Sequence, residues 1–528
     1  MPQTYDAIII GAGHNGLVAA AYLAKAGKKV LVLEKRYLVG GASVTEEVFP
    51  GFKFSVFSYV VSLFRPEIIR DLDLPRHGLT ILPLTSTLTP MPNGDYLYRD
   101  WDHFRTLRDI ARHSPRDAEA YDEYGRTMYF MAKAVKYMLG IIPPDPTTLN
   151  PKDLLGLANL GKHILGLDEE NIYTLTKLMT MSSADFLEEW FETDVLKATL
   201  SSSGIIGTFL GPRSPGTAYV LLHHYMGEID GSFRAWGFAK GGTGGIANAI
   251  ASAARELGAE IRCEAPVAKV IVKNEIAAGV ALENGDEFYG KIVVSSLDPK
   301  LTFLKLLDAS LLPDDLVTAI RNFNIRGSSA KVNLALAALP NWACMPGEGP
   351  HLRGAFSISP SLDYLERAYD DAKYGNFSQK PYIDIILPSM IDPDMAPPGK
   401  HVMSCFVQYA PYQLREGTWE QKRDALGDAV VETLSEYIPN FKNVILHRQV
   451  MTPWDIEQTI GLSQGNIFQG ELSLSQLFFL RPAAGYANYR TPIRHYYQCG
   501  SGTHPGGGIT GAPGRLAALE ILKEKTLR

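Results

Sequence analysis

A glycine-patterned turn at each end of the chain limits its fold more than any other feature. The opening reads YDAIIIGAGHNGLVAAAYLAKAGKKVLVLEKR, and the close reads HYYQCGSGTHPGGGITGAPGRLAALEIL. YDAIIIG is a short apolar run ending in glycine, as a buried parallel strand should be. Gly11, Gly13 and Gly16 then give G-x-G-x-x-G, and LVAAAYLAKAG continues as a small-residue helix ending at Gly27. Gly11 permits the tight strand-to-helix turn and Gly13 lets the backbone approach a pyrophosphate. Gly16 lets the helix lie close to the strand. The helix N-terminus, where His14 and Asn15 stand, offers unpaired N–H groups to phosphate oxygens. KKVLVLEKR is the second strand. Glu34 at its end, followed by Lys35, is placed to accept hydrogen bonds from ribose hydroxyls.

The next stretch, KRYLVGGASVTEEVFPGFKFS, decides between dinucleotides. Gly40 and Gly41 let the chain pass beside a cofactor, with Ala42 and Ser43 following, where a nicotinamide domain usually enters a helix. With its acid, short spacer, Gly-Gly and GF.F loop, the chain resembles the FAD-containing amine oxidase and phytoene desaturase superfamily. The commonest form of that motif has Arg after Gly-Gly, where this chain has Ala42. That departure points away from the amine-oxidising branch and toward the carotenoid ketolase-like one. GTHPGGGITGAPGR is the most specific element of the resemblance, and SPRDAEAY, FLRP and MAPPG support it.

The resemblance implies an α/β protein: a Rossmann-like FAD-binding domain with a parallel sheet and β-meander, interleaved with a mixed-sheet and helical substrate domain. The expected spans are 1–72, 231–300 and 490–528 for the first domain, and 73–230 with 301–489 for the second. Residues 103–230 are expected to be mostly helical. Asn284–Gly285 reads as the meander's hairpin turn. By the resemblance Val267 brackets the adenine; read alone, it is an ordinary strand residue. Glycines at 500, 502, 506, 507, 508, 511 and 514 are expected to clear space for the flavin. Gly500, Ser501, Gly508, Ile509 and Thr510 are expected to contact it. The last helix, starting near Thr510–Gly511, is expected to face the flavin's N1–C2 edge, its dipole favouring the reduced ring.

No acid–base dyad stands out. Removing hydride from an allylic carbon needs mainly placement and exclusion of water. His504 is the best polar candidate for a proton donor or substrate contact, with a loop-fixing hydrogen bond as the alternative. Tyr486 and Tyr489 are candidates to line the ring's substrate side, or simply to pack. Arg481 reads as an anion-binding group or a structural ion pair. His223–His224 lacks a third ligand at helical spacing, so no metal is expected.

The net charge of −6 comes with no basic block, which excludes a nucleic-acid partner. Cys263, Cys344, Cys405 and Cys499 are scattered, without a C-x-x-C pair, and suit a reducing compartment. With no redox pair and no second G-x-G-x-x-G, direct reduction by NAD(P)H is not expected. No leader precedes the first strand and no uninterrupted apolar run reaches the ~18 residues of a spanning helix. The expected location is therefore cytoplasmic, with peripheral membrane contact through the apolar stretches 128–142 and 153–167. Those stretches read equally as substrate-domain core or a homo-oligomer interface. The leading expectation is an FAD-dependent oxidoreductase acting on a long apolar substrate, with oxygen or quinone accepting electrons. The alternatives are an amine-oxidising flavoenzyme, a Rab GDP-dissociation-inhibitor-like binder, and a flavoprotein without turnover.

Overall fold

The computed structural model describes residues 4–229 and 231–527. Residues 1–3, 230 and 528 of the expected spans lie outside the described residues. In strand Thr4–Ile10 the run Ala7 to Ile10 is wholly buried, as a strand covered on both faces must be. Helix His14–Lys25 follows, and strand Val30–Leu33 returns parallel to the first, Ala7 opposite Val30 and Ile10 opposite Leu33. The sheet has 7 strands in the order Glu260–Arg262, Val30–Leu33, Thr4–Ile10, Glu287–Ser295, Ile276–Leu282 and Val267–Lys273, with Tyr496–Gln498 also pairing Glu287–Ser295.

Glu287–Ser295 is the keystone of this sheet. One edge pairs in parallel with Thr4–Ile10 along most of its length. The other is shared: Glu287–Tyr289 pairs antiparallel with the meander, and Val293–Ser295 pairs in parallel with Tyr496–Gln498. The first and last strands of the chain are thus neighbours of one strand. Helices Gly244–Glu256 and Ala512–Ile521 both pack on His14–Lys25. Their contact surfaces are built from buried alanines, including Ala20, Ala21, Ala247, Ala251, Ala517 and Ala518, which let the helix axes approach closely.

A second 7-stranded sheet runs Ile445–Met451, Ser329–Leu336, His401–Gln408, Tyr382–Ile386, Ala355–Ile358, Ser86–Pro90 and Tyr96–Asp100. All its pairs are antiparallel except Ala355–Ile358 with Ser86–Pro90. Helix Trp419–Ser435 contributes Leu426, Val430 and Leu434 to the core on this sheet. Helices between His103 and Tyr225 form a further layer with its own core around Tyr124, Met128, Leu196 and Leu221. The strands of the first sheet come from the expected cofactor spans, and those of the second from 73–230 and 301–489.

Element ends differ slightly from the sequence expectation. The last helix begins at Ala512, because Gly511 sits at φ 68° and cannot be its first turn. Helix Pro151–Leu165 has no buried residue, and Leu155 and Leu165 are 62% and 79% exposed, so this stretch is not substrate-domain core. No described helix is long and apolar enough to cross a membrane.

A Cβ built on Gly514 lies 2.1 Å from the Asn15 carbonyl oxygen. Gly514→Ala should therefore destabilise by about 1–3 kcal/mol through overpacking, because both sides are helix backbone. Gly161→Ala, where a Cβ meets nothing within 4 Å, should stabilise by about 0.5–1 kcal/mol. Denaturant midpoints of the two variants check the contrast.

Candidate functional site

The first turn does what its spacing requires. Gly11 has φ 90°, and a Cβ there would meet Ser296 Oγ at 2.7 Å. A Cβ on Gly16 would lie 2.2 Å from the Gly11 carbonyl, so helix and strand touch there. Gly13 is different: a Cβ on it meets no protein atom within 4 Å. The space it keeps open is a cavity of about 430 Å³ walled by Gly11, Gly13, His14, Asn15, Glu34, Lys35, Arg36, Gly41, Ala42 and Val267. Gly40 N–H donates to the Ala12 carbonyl at 2.8 Å, laying the Gly-Gly loop along the turn, and Gly41 approaches Gly13 Cα closely. Ser43 N–H donates to the Gly40 carbonyl at 2.9 Å and closes that loop.

Glu34 is 7% exposed. Its carboxylate accepts from Ala12 N–H at 2.8 Å and Arg36 N–H at 3.0 Å, which aims it along the cavity wall. Several buried polar atoms here have no protein partner: His14 Nε2, Asn15 Oδ1, Arg36 Nη1 and Ser43 Oγ. Buried polar groups are normally paired, so three orphans on the wall of one cavity, with Ser43 in the adjoining Gly-Gly loop, mark where a polar ligand belongs. An extended dinucleotide fits this set: phosphates at the helix N-terminus, ribose at Glu34, adenine beside Pro266 and Val267. Arg36, to which the motif assigns no role, belongs to the cradle and is anchored by Glu46 at 3.0 Å.

The C-terminal turn meets the N-terminal one directly. Asn15 Nδ2 donates to Ser501 Oγ at 3.0 Å, and Ser501 lines the cavity. The tail glycines also meet a packing constraint that spacing alone does not show. Cβ atoms on Gly500, Gly502, Gly507 and Gly511 would collide with Ser296 O, Pro299, Phe468 and Ile68, all within 2.7 Å. Protein lies against each of them, and that contact by itself requires glycine there. Gly508 and Ile509 line an adjoining apolar cavity, while Thr510 Oγ1 accepts from Ala512 N–H at 3.2 Å and its carbonyl from Arg65 N–H at 3.1 Å.

Arg481 is neither an anion site nor an ion pair. It is fully buried and donates only to main-chain carbonyls, among them Ser501 at 2.9 Å, Gly470 at 3.1 Å and Thr503 at 3.3 Å. It clamps the 468–476 segment to the C-terminal turn. His504 is likewise buried, and it lines none of the cavities described here. Both ring nitrogens lack a partner, and burial pulls its pKa down to about 3, so it is not placed as a proton donor. Tyr489 donates to the His504 carbonyl at 2.9 Å, and Tyr486 packs on the core behind the first sheet; neither lines the cofactor cavity or the apolar one.

Three cavities lie in series. The cofactor cavity shares His14, Ala42, Leu462, Ile467 and Ser501 with the apolar one, whose other walls include Phe57, Tyr59, His224, Phe406 and Phe468. Val60, Ile206 and Trp236 line both that cavity and a polar chamber of about 560 Å³. His224 stacks on Trp236 with ring centroids 6.0 Å apart, and its Nδ1 bonds the Val220 carbonyl at 2.9 Å. Burial holds His14 and His224 at about 4, so both rings are neutral at pH 7. No group of three or more potential metal ligands gathers among the described residues.

Lys331 has no sequence signal, yet it is the chemically most unusual group nearby. It is buried on Ser329–Leu336, donating to the Ser55 carbonyl at 3.2 Å and Asn333 Oδ1 at 2.9 Å, directly behind the 57–60 segment of the apolar cavity. Burial draws its pKa from 10.5 to about 7.

Comparison with known proteins follows from this geometry. The family model described as flavin containing amine oxidoreductase matches residues 16–522. A Rattus norvegicus protein named pyridine nucleotide-disulfide oxidoreductase domain-containing protein 2 is 40% identical over 546 residues, covering 98% of this chain and 94% of its own length. A limonene dehydrogenase subunit of Castellaniella defragrans is 28% identical over 553 residues, covering 99% and 95%. Among solved structures, putrescine oxidase bound to putrescine superposes with TM-score 0.61 at 16% identity, covering 99% and 100%, a likeness of fold.

Gly13→Val should fold with near-native stability but lose flavin affinity by about tenfold or more, 1.4 kcal/mol upward. Melting curves and the flavin absorbance of the purified variant check both halves. For Lys331 the sign is fixed by linkage. Between pH 7 and 10.5 the unfolded lysine holds a proton that the native one has released, so stability rises with pH across that window. Denaturant midpoints should climb from pH 7 to 9 in the wild type, and less in Lys331→Met.

Proposed function

This chain belongs to the flavin-containing amine oxidoreductase family, and we propose that it dehydrogenates, desaturates or isomerises a long apolar substrate of the carotenoid, isoprenoid or unsaturated-lipid kind. FAD is its cofactor, and when bound it supplies a hydride acceptor that passes electrons on to oxygen or a quinone. The observation carrying the reading is the apolar cavity that opens from the cofactor cradle through His14, Ala42 and Ser501. Its walls hold Phe57, Tyr59, Phe406, Phe468 and Trp236 and no carboxylate, so an allylic chain is desolvated there at little cost and an ammonium finds no counter-charge. The name of the limonene dehydrogenase relative points to the same chemical class.

The residues' work in this reading is positional. The helix N-terminus and Gly11–Asn15 hold the diphosphate, Glu34 the ribose, and the aromatic walls keep water from the reacting carbon. Neutral His14 and His224 bring no charge into that space. Trp101 lines the outer chamber while 76% exposed, and neighbouring Phe104 is 76% exposed as well. This pair joins the exposed Phe130, Leu155 and Leu165 of the stretches at 128–142 and 153–167 as a proposed point of contact with a lipid surface.

Anaerobic mixing with a polyunsaturated isoprenoid should bleach the flavin absorbance or, if the reaction is isomerisation, convert the isoprenoid without bleaching. Reduction by a diamine, with isoprenoids inert, would reverse the assignment. Vesicle co-sedimentation should fall severalfold in the Trp101→Ser, Phe104→Ser double variant, with melting temperature unchanged.

A further inference from the structure

The outer chamber holds two guanidinium groups that the reaction proposed above does not use. Arg99, on Tyr96–Asp100, and Arg234 both line it, with Tyr121 and Tyr225 between them. Arg234 Nη1 donates to Tyr121 Oη at 3.1 Å, and its guanidinium lies over the Tyr225 ring at 4.6 Å. Arg99 Nε is buried and has no hydrogen-bond partner. Among the described residues, no carboxylate comes within 4.0 Å of either guanidinium. The two chamber acids are engaged elsewhere: Asp100 with Arg105 at 3.3 Å, and Asp384 with the Tyr59 hydroxyl.

Arginine cannot shed its proton to escape burial, as lysine and histidine can. Two adjacent guanidiniums that meet no acid among the described residues are therefore a standing cost unless an anion joins them. The field is felt locally. Burial and the Arg234 charge lower the Arg99 pKa, while Arg234 and Arg99 together bring the Tyr121 phenol down to about 8, against the opposing effect of its burial. A carboxylate or phosphate is the counter-charge whose flat or tetrahedral oxygens match such donors.

We infer that this chamber is an oxyanion site, in which Arg99 and Arg234 receive the carboxylate or phosphate head of an amphipathic substrate whose apolar chain reaches the flavin past Val60, Ile206 and Trp236, the residues that line both cavities. The inference rests on the reading of the apolar cavity as the reaction space, and adds the substrate's polar end. It also accounts for a chamber of about 560 Å³ placed behind an apolar cavity of about 100 Å³.

The test titrates the FAD-loaded protein with oleate, oleyl alcohol and oleyl phosphate, following flavin absorbance and tryptophan fluorescence. Benzoate and inorganic phosphate serve as chainless probes. An acid-bearing chain should bind about tenfold or more tightly than the alcohol, as a buried charge-assisted contact requires. Which acid wins assigns carboxylate or phosphate. Arg99→Gln and Arg234→Gln should each erase the preference while leaving alcohol binding intact. Arg99→Gln relieves a like-charge contact, so its unliganded melting temperature should hold or rise; it carries the test should Arg234→Gln fail to fold. Equal binding of acid and alcohol, or a preference that survives Arg99→Gln, overturns the inference. If the apolar-substrate reading alone is wrong, the alcohol leaves the flavin spectrum untouched. In that case benzoate or phosphate still quenches tryptophan fluorescence in the wild type and not in Arg99→Gln, and silence from both probes overturns the oxyanion site too.

Discussion

Strand Glu287–Ser295 hydrogen-bonds to the first strand of the chain on one edge and to the last on the other. Everything at the site depends on that double pairing. It sets Ser501 against Asn15, and it seats Gly514 on the first turn of helix His14–Lys25. Parallel neighbours cannot be joined by a tight hairpin, so the connections between these strands must be long. The chain spends them on the substrate domain. The second sheet and the helical layer are therefore excursions from one cofactor sheet, and they return to place Tyr59, Ile206, Phe406 and Phe468 over the cradle.

Charge inside the protein is partitioned along this axis. Beside the cradle, His14 and His224 are neutral because burial forbids their charge, and Lys331 is held near neutrality for the same reason. Beyond Trp236, Arg99 and Arg234 keep theirs. A molecule spanning both spaces meets a dry, uncharged region at the flavin and a cationic one at its far end. The same arrangement disfavours an ammonium ion at either station.

The sequence was legible where the physics is local. Gly11, Gly13, Gly16 and Glu34 act within one βαβ unit, and their spacing alone orders the cradle. It was misleading where a residue's reason lies far along the chain. Gly500 and Gly507 look only like space for a ligand until Ser296 and Phe468 are seen against them. Arg481 reads as a charge in search of an anion, but its partners are carbonyls brought from two segments. His504 sits in a motif that points at the flavin, yet its ring is turned into the core. Lys331, Arg99 and Arg234 carry no spacing signal at all, since each gains its meaning from burial beside residues distant in sequence.

The central claim is that the two ends of the chain close on a single dinucleotide, and a crystal structure of the yellow holoprotein tests it most directly. The account predicts electron density for FAD with its ribose on Glu34, its diphosphate over Gly13 and its isoalloxazine beside Ser501 and Ile509. Density that leaves the C-terminal turn untouched, or a flavin lodged away from the Gly13 cavity, would contradict it.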